Sequence, residues 1–380
     1  MKVAIVKQLL DTVGPWTGLH WEESGAESLF RFWPCRGLHW EMTTLLEADW
    51  YIVPQQVNTE FTYDSVLEHA GQAEVLRKYT RRVTPLEKVP FESYDLVITL
   101  DPILKFPAGR STLFAYFVAE HWDWRYRKSL RHPLANADLF LAHMLDAPCE
   151  LGRLPQAIAF PYVRDTRTMR EVFPAKERSD AVWADWRTLA VFNPAKSGQE
   201  PPPPQRAAER LEEALGLPVA YRSFSMGLYH GEDPPRWGDA AEYLRELGKQ
   251  KYYLCLGRGS GAGQGLADAA CLGCLCFGEQ NKAYHRLLCH PETLCGDLQE
   301  LPRRLHRVRA SEDLQKEVCA WQEQSLRKHF MEEPLSLIEK ALELKQKSFA
   351  RRRVQGTPVM PIRPVQLESI VNLERKTERE

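Results

Sequence analysis

The sequence predicts an α/β protein: two open, parallel-sheet domains of similar size facing a central cleft, followed by C-terminal helices. Three observations predict it. The chain has 380 residues, more than one ordinary hydrophobic core covers, so two domains are the default. Its strand-like segments are short, nearly continuous apolar runs, as parallel strands covered on both faces require. Segments with apolar residues at helical spacing alternate with them, which is the pattern of strand–helix–strand units.

The elements follow in order. KVAIV (2–6) is the opening strand, and ADWYIVP (48–54), YDLVITL (94–100), TLFAYFVA (112–119), ADLFLAH (137–143) and QAIAFP (156–161) are further buried strands. TYDSVLEHAGQAEVLRKYTRR (62–82) reads as a helix, with basic residues at the end where the helix dipole is negative. These elements make an N-terminal domain of residues 1–165. The charged, weakly periodic stretch VRDTRTMREVFPAKERSDAVWADW (163–186) reads as the interdomain linker, placed at 166–186.

RTLAVFNP (187–194) then opens a second α/β series, a domain running over 187–330. The last proline of EPPPPQ (200–205) starts a helix that Gly216 closes. PVAYRSFS (218–225) is a strand, and WGDAAEYLRELG (237–248) is a helix closed by Gly248. YYLCLG (252–257), a helix near 263–272 and CLCFGE (274–279) complete this core. SEDLQKEVCAWQEQSLRKHF (311–330) opens with a serine cap and acidic residues in its first turn. PLSLIEKALELKQKSFARRR (334–353) is a further helix, in a segment 331–380 that crosses back to the N-terminal domain or ends as a tail.

Composition excludes several classes. A net charge of −1 provides no bulk attraction to nucleic acid or membrane, although it leaves a local basic cleft open. No stretch approaches the roughly 18–20 apolar residues of a spanning helix. MKVAIVKQLLD has too short an apolar run for a secretory core, interrupted by Lys7 and Asp11. Nine cysteines without framework spacing point to a reducing, cytoplasmic location. Cys271, Cys274 and Cys276 read as small buried hydrophobes rather than metal ligands, because Cys289 and Cys295 are poorly spaced as a second zinc pair.

The chemistry concentrates in KYYLCLGRGSGAGQGLADAACLGCLCFGE (251–279), where Gly257, Gly259, Gly261, Gly263 and Gly265 separate a strand from an alanine-rich helix. It is no nucleoside-triphosphate loop of the G-K-[ST] kind, since no lysine lies between 252 and 281. Gly257-x-Gly259-x-x-Ala262, with Glu279 at the end of the next strand, nearly satisfies a dinucleotide pattern. Glycine N–H groups leading into a helix N-terminus suit an anion. Arg258 adds a positive charge there, and Asp268 is placed to accept from a ribose hydroxyl. Asp101, ending another strand, is a cleft candidate or a loop cap. GLHWE occurs at 18–22 and at 37–41, and Trp16, His20, Trp21, His39 and Trp40 read as loop packing or as aromatic turns over the cleft.

SGAGQGLADAACLGCLCFG resembles the donor domain of GT-B-fold glycosyltransferases of the retaining nucleotide-sugar class. Gly261 and Gly263 match the two glycines of that family's loop, Asp268-Ala269-Ala270 stands for its Glu-Ala-x, and Gly273 matches the glycine before its last strand. Ser260 stands where the family has its first glutamate. The resemblance implies two Rossmann-like domains in a GT-B-like arrangement. It also implies metal-independent transfer, of the hexosyltransferase type, from a nucleotide sugar such as a UDP- or GDP-sugar to an unidentified acceptor. No D-x-D metal motif occurs in the chain, and no other cofactor is expected. In that reading Lys196 of VFNPAKSG and Arg258 hold the diphosphate, with a fixed cation stabilising the leaving group. Ser260, Gly261 and Gly263 line the donor, and Asp268 and Glu279 meet ribose or sugar. His121 and Asp123 of FVAEHWDWRYRK stand at the reacting centre, as proton relay and acceptor, or else as a polar strand end with a helix cap. The interleaved aromatic and basic WRYRK suits a nucleic-acid or phosphorylated acceptor, or is a solvated helix face. Two alternatives stand beside this: an NAD(P)-dependent oxidoreductase with Glu279 on the adenosine ribose, and a GT-B-like binding protein that has lost catalysis.

Overall fold

The structure is a computed structural model, and it describes residues 1–9, 46–54, 82–83, 89–99, 111–118, 137–142, 157–160, 164, 166–174, 177–192, 204–221, 240–257 and 264–355. The chain divides into two compact units: Met1–Glu22, Cys35–Val163 and Glu332–Glu380 form the first, Glu23–Pro34 and Arg164–Met331 the second.

The first unit holds one parallel sheet built from β1 (Val3–Leu9), β2 (Asp49–Pro54), β3 (Arg82–Val83), β4 (Leu96–Thr99), β5 (Leu113–Val118), β6 (Leu139–Ala142) and β7 (Ala157–Ala159). Their spatial order is β3-β2-β1-β4-β5-β6-β7, so the chain winds outward from β1 in one direction and then in the other. Every strand of the expected set is present, and β3 joins them. The apolar runs explain why. Val3, Ala4, Ile5 and Val6 of β1 and Leu96, Val97 and Ile98 of β4 are all buried, whichever face they point to. The C-terminal helix, Glu333–Gln355, packs on β5 and β7. Its Lys345 donates to both carboxylate oxygens of Asp138, at 2.6 and 2.7 Å, and Asp138 also accepts from the Phe114 N–H. The helix expected over 62–82 lies outside the described residues, apart from Arg82, which belongs to β3.

The second unit contains α1 (Thr166–Val172), β8 (Ser179–Ala184), α2 (Trp186–Phe192), α3 (Pro204–Leu215), β9 (Val219–Tyr221), α4 (Ala240–Gly248), β10 (Gln250–Cys255), α5 (Gln264–Cys271), β11 (Leu275–Glu279), α6 (Ala283–Leu288), β12 (Leu294–Cys295), α7 (Glu300–Ala310) and α8 (Glu312–Arg327). Its strands are parallel, in the order β12-β11-β10-β8-β9. Within 166–186, expected as a linker, Thr166–Val172 form α1 and Ser179–Ala184 form β8, and β8 lies inside the sheet between β10 and β9. The second series therefore opens at β8, and residues 187–192 of RTLAVFNP are helix α2. A four-residue apolar run, Ala181–Val182–Trp183–Ala184, is all that a short central strand needs, and its charged flanks masked it.

Local chemistry sets the helix ends of this unit. Gly273, at φ 81°, closes α5 in a double-bonded cap: Cys274 N donates to Ala269 O and Gly273 N to Ala270 O. Ser311 caps α8 by accepting from Leu314 N. Gln322 of α8, 1 % exposed, donates to Cys274 O at 2.7 Å and accepts from Cys276 N at 2.9 Å. Its amide does for β11 what a neighbouring strand's peptide would do. Around this sheet, Leu211, Leu301, Leu305, Val308 and Val318 close the core over Val182, Leu254 and Phe277. No described helix is long and apolar enough to cross a membrane.

Candidate functional site

Parallel α/β sheets bind ligands beyond the C-terminal ends of their strands, where the strand order reverses. In the second unit that point lies between β8 and β10. The residues that follow both strands are tied together there. Asp185 N donates to Leu254 O at 3.0 Å. The buried Thr188, in the first turn of α2, donates to Leu254 O at 3.1 Å and accepts from Leu256 N at 2.8 Å. The glycine-rich segment leaves directly from this tie.

Its first residue, Gly257, has φ 133°, a conformation that side-chain-bearing residues rarely adopt. The register of β10 on β11 pairs Cys255 with Gly278, which brings Gly257 beside Glu279. Glu279 Oε1 accepts from Gly257 N at 2.9 Å, and Glu279 Oε2 lies 2.7 Å from Lys282 Nζ. Lys282 Nζ in turn donates to Gly257 O. The Glu279 and Lys282 side chains are only 22 % and 12 % exposed. Glu279 N donates to Nδ1 of the buried His285 at 2.8 Å, so that ring nitrogen carries no proton.

At the far end of the loop, α5 begins over two tyrosine rings. A Cβ on Gly265 would stand 2.4 Å from the Tyr253 hydroxyl and 3.3 Å from that of Tyr243, so only glycine permits this approach. Tyr243 is held edge-on by Trp183, with ring centroids 5.5 Å apart. Burial first, and the Asp185 charge second, push the Tyr253 phenol well above its ordinary range. Its hydroxyl stays neutral, a donor or acceptor rather than a charge.

Asp268 sits within α5 and is fully buried. Its Oδ1 accepts from Arg164 Nε at 2.7 Å, and both side chains are 1 % exposed. A carboxylate so placed requires a cation, since an isolated buried charge costs several kcal/mol or more. The structure thus commits Asp268 to an internal ion pair rather than presenting it at the surface. Glu279 has both oxygens engaged at the root of the loop. Of the other expected site residues, His121, Asp123, Lys196, Arg258, Ser260, Gly261 and Gly263 lie outside the described residues, as do Asp101, Trp16, His20, Trp21, His39 and Trp40.

Arg164, Thr188, Lys282 and His285 are the residues that sequence reasoning missed. Lys282 had a signal, a basic residue three positions after a strand-ending glutamate. Asp268 had one too, as a lone carboxylate among apolar residues, but its partner is 104 positions away. Cys271, Cys274 and Cys276 are buried as expected, and burial pushes the Cys274 thiol up to about 12. Among the described residues no group of three or more His, Cys, Asp or Glu side chains is placed to hold a metal ion.

No family model and no curated protein matches the sequence. Solved structures do align with it. T4 phage BGT in complex with UDP and Mn2+ aligns at 11 % identity and a TM-score of 0.42, covering 90 % of this chain and 100 % of that one. An alpha-glucosyltransferase in complex with UDP-glucose and DNA containing an abasic site aligns at 10 % and 0.46, covering 90 % and 99 %. Sucrose-phosphate synthase from Thermosynechococcus elongatus aligns at 12 % and 0.41, covering 94 % and 100 %. At these scores the alignments transfer neither activity nor substrate.

Proposed function

We propose that the protein is a glycosyltransferase that binds a nucleotide sugar at the second sheet and passes its sugar to an acceptor. One observation carries the reading. A glycine-rich segment leaves β10 at the point of strand-order reversal, leads into α5, and has both backbone groups of its first residue held by side chains. Backbone N–H groups at a helix N-terminus favour a diphosphate without needing a lysine inside the loop. The resemblance of residues 260–278 to nucleotide-sugar donor loops supports the same ligand.

In this reading Gly261 and Gly263 approach the diphosphate, Lys196 and Arg258 supply cations for the leaving group, and His121 and Asp123 serve the reacting centre. Asp268 acts from inside: by pairing with Arg164 it holds α5, and with it the end of the loop. The chemistry proposed is metal-independent, with these cations in the metal's place. The oxidoreductase reading needs Glu279 on an adenosine ribose. It stands second because both oxygens of Glu279 are already taken by Gly257 and Lys282.

A thermal-shift screen of the full chain against UDP, GDP, CMP, ADP, NAD and NADP tests this. A ligand at about 100 times its dissociation constant adds about 2.7 kcal/mol of stability. The expected result is a shift with one nucleoside diphosphate, retained in EDTA. A shift with NAD or NADP alone would refute the reading in favour of the dehydrogenase. Loss of the shift in EDTA would refute metal independence.

A further inference from the structure

We infer that Glu279, Lys282 and His285 are positioning residues for the donor diphosphate: they set the root of the glycine loop in its binding conformation. The inference rests on the nucleotide-sugar reading above. The first ground is polarity. Gly257 N–H belongs to the peptide entering Gly257, and Gly257 C=O to the peptide leaving it. A carboxylate holds the first and an ammonium holds the second. Both peptide planes are therefore fixed, and so is the left-handed φ of 133° between them.

The second ground is the support behind the pair. A Cβ on Gly278 would lie 2.8 Å from His285 Nδ1 and 2.9 Å from its Cβ and Cγ, so the ring presses on bare backbone at the end of β11. From there its Nδ1 accepts the Glu279 N–H. The end of β11 is thus held from α6, and the loop root is held from the end of β11. The third ground is cost. A largely desolvated ion pair is weak evidence for stability, and apolar side chains of similar volume often replace such pairs without loss. Placing one on both polar groups of a single glycine selects a backbone geometry, which a binding loop needs and a mere staple does not.

The experiment measures UDP, GDP and ADP binding by isothermal titration, with melting midpoints taken in parallel, on full-length wild type and three variants. These are Lys282→Met, Lys282→Arg, and the charge exchange Glu279→Lys with Lys282→Glu. Lys282→Met is expected to weaken the bound nucleotide about tenfold or more, beyond the lowering of the melting midpoint that follows when Glu279 loses its cation. Lys282→Arg, which keeps a donor for Gly257 O, is expected to restore affinity to within about threefold. The charge exchange is expected to restore none of it, because a lysine at 279 cannot accept from Gly257 N–H. Wild-type affinity in Lys282→Met, or a lowered midpoint with unchanged affinity, would overturn the inference and leave the nucleotide reading standing. Recovery in the charge exchange would also overturn it, since a simple tether does not depend on polarity. Failure of wild type to bind any of the three nucleotides would overturn the reading itself, and the inference with it.

Discussion

The two ends of the β10–α5–β11 crossover are fastened by different chemistry. Where α5 ends and β11 begins, guanidinium and amide groups cover backbone carbonyls. Arg170 Nε donates to Cys271 O at 2.9 Å, Arg178 donates to Leu272 O and Gly273 O, and Gln322 bridges Cys274 and Cys276. Where β10 ends and the glycine segment begins, the ties are Thr188 and the Glu279–Lys282 pair, and they grip the segment at its root. The first end is a closed account of hydrogen bonds around a capped helix. The second fixes where the loop starts. In one crossover, then, rigidity sits on the side away from the strand C-termini, and backbone geometry is selected on the side where ligands bind. Asp268 and Arg164 lie buried between the two ends.

That contrast can be broken most forcefully in its middle. Asp268→Ala leaves the Arg164 guanidinium buried without its carboxylate, and is expected to cost about 3–5 kcal/mol in chemical denaturation. The double change Arg164→Met with Asp268→Leu is expected to recover most of that loss. As a functional probe Asp268→Ala is therefore confounded, and a loss of activity in it alone says nothing of ribose.

At the rigid end, Gln322→Leu leaves Cys276 N buried without its acceptor and Cys274 O with the weak Cys276 thiol as donor, an expected loss of about 2 kcal/mol by the same measurement. Ser311→Ala removes the cap of α8 and is expected to cost about 1 kcal/mol. A last test works by pH and has no effect at neutral pH. Burial raises the Cys274 and Cys295 thiols from 9.0 to about 12. The folded state then keeps protons that the unfolded chain releases. Stability from these groups is complete below about pH 9 and is lost as pH rises from there towards 12. These cysteines belong to the second unit, so its denaturation midpoint is expected to fall in alkaline titration above about pH 9.

The strands were legible because a parallel strand covered on both faces writes itself as a continuous apolar run. VAIV (3–6) and LFAYF (113–117) are buried residue by residue. Helix ends marked by Gly216 and Ser311 were legible because a cap is decided within a few residues. β8 was not, because four apolar residues between charges look like a linker until a sheet covers them. Glu279 was legible as a strand-end carboxylate in the loop's neighbourhood, but its grip on Gly257, 22 positions away, was not.

By itself the sequence determined the alternation of strands and helices, the glycine-rich exit from β10 and the local caps, because each depends on neighbours along the chain. Only the tertiary structure decided that β8 is a central strand, that Asp268 serves Arg164, and that Glu279, backed by His285, and Lys282 meet at Gly257. Those facts depend on strand order and register, which bring together residues that no local pattern connects.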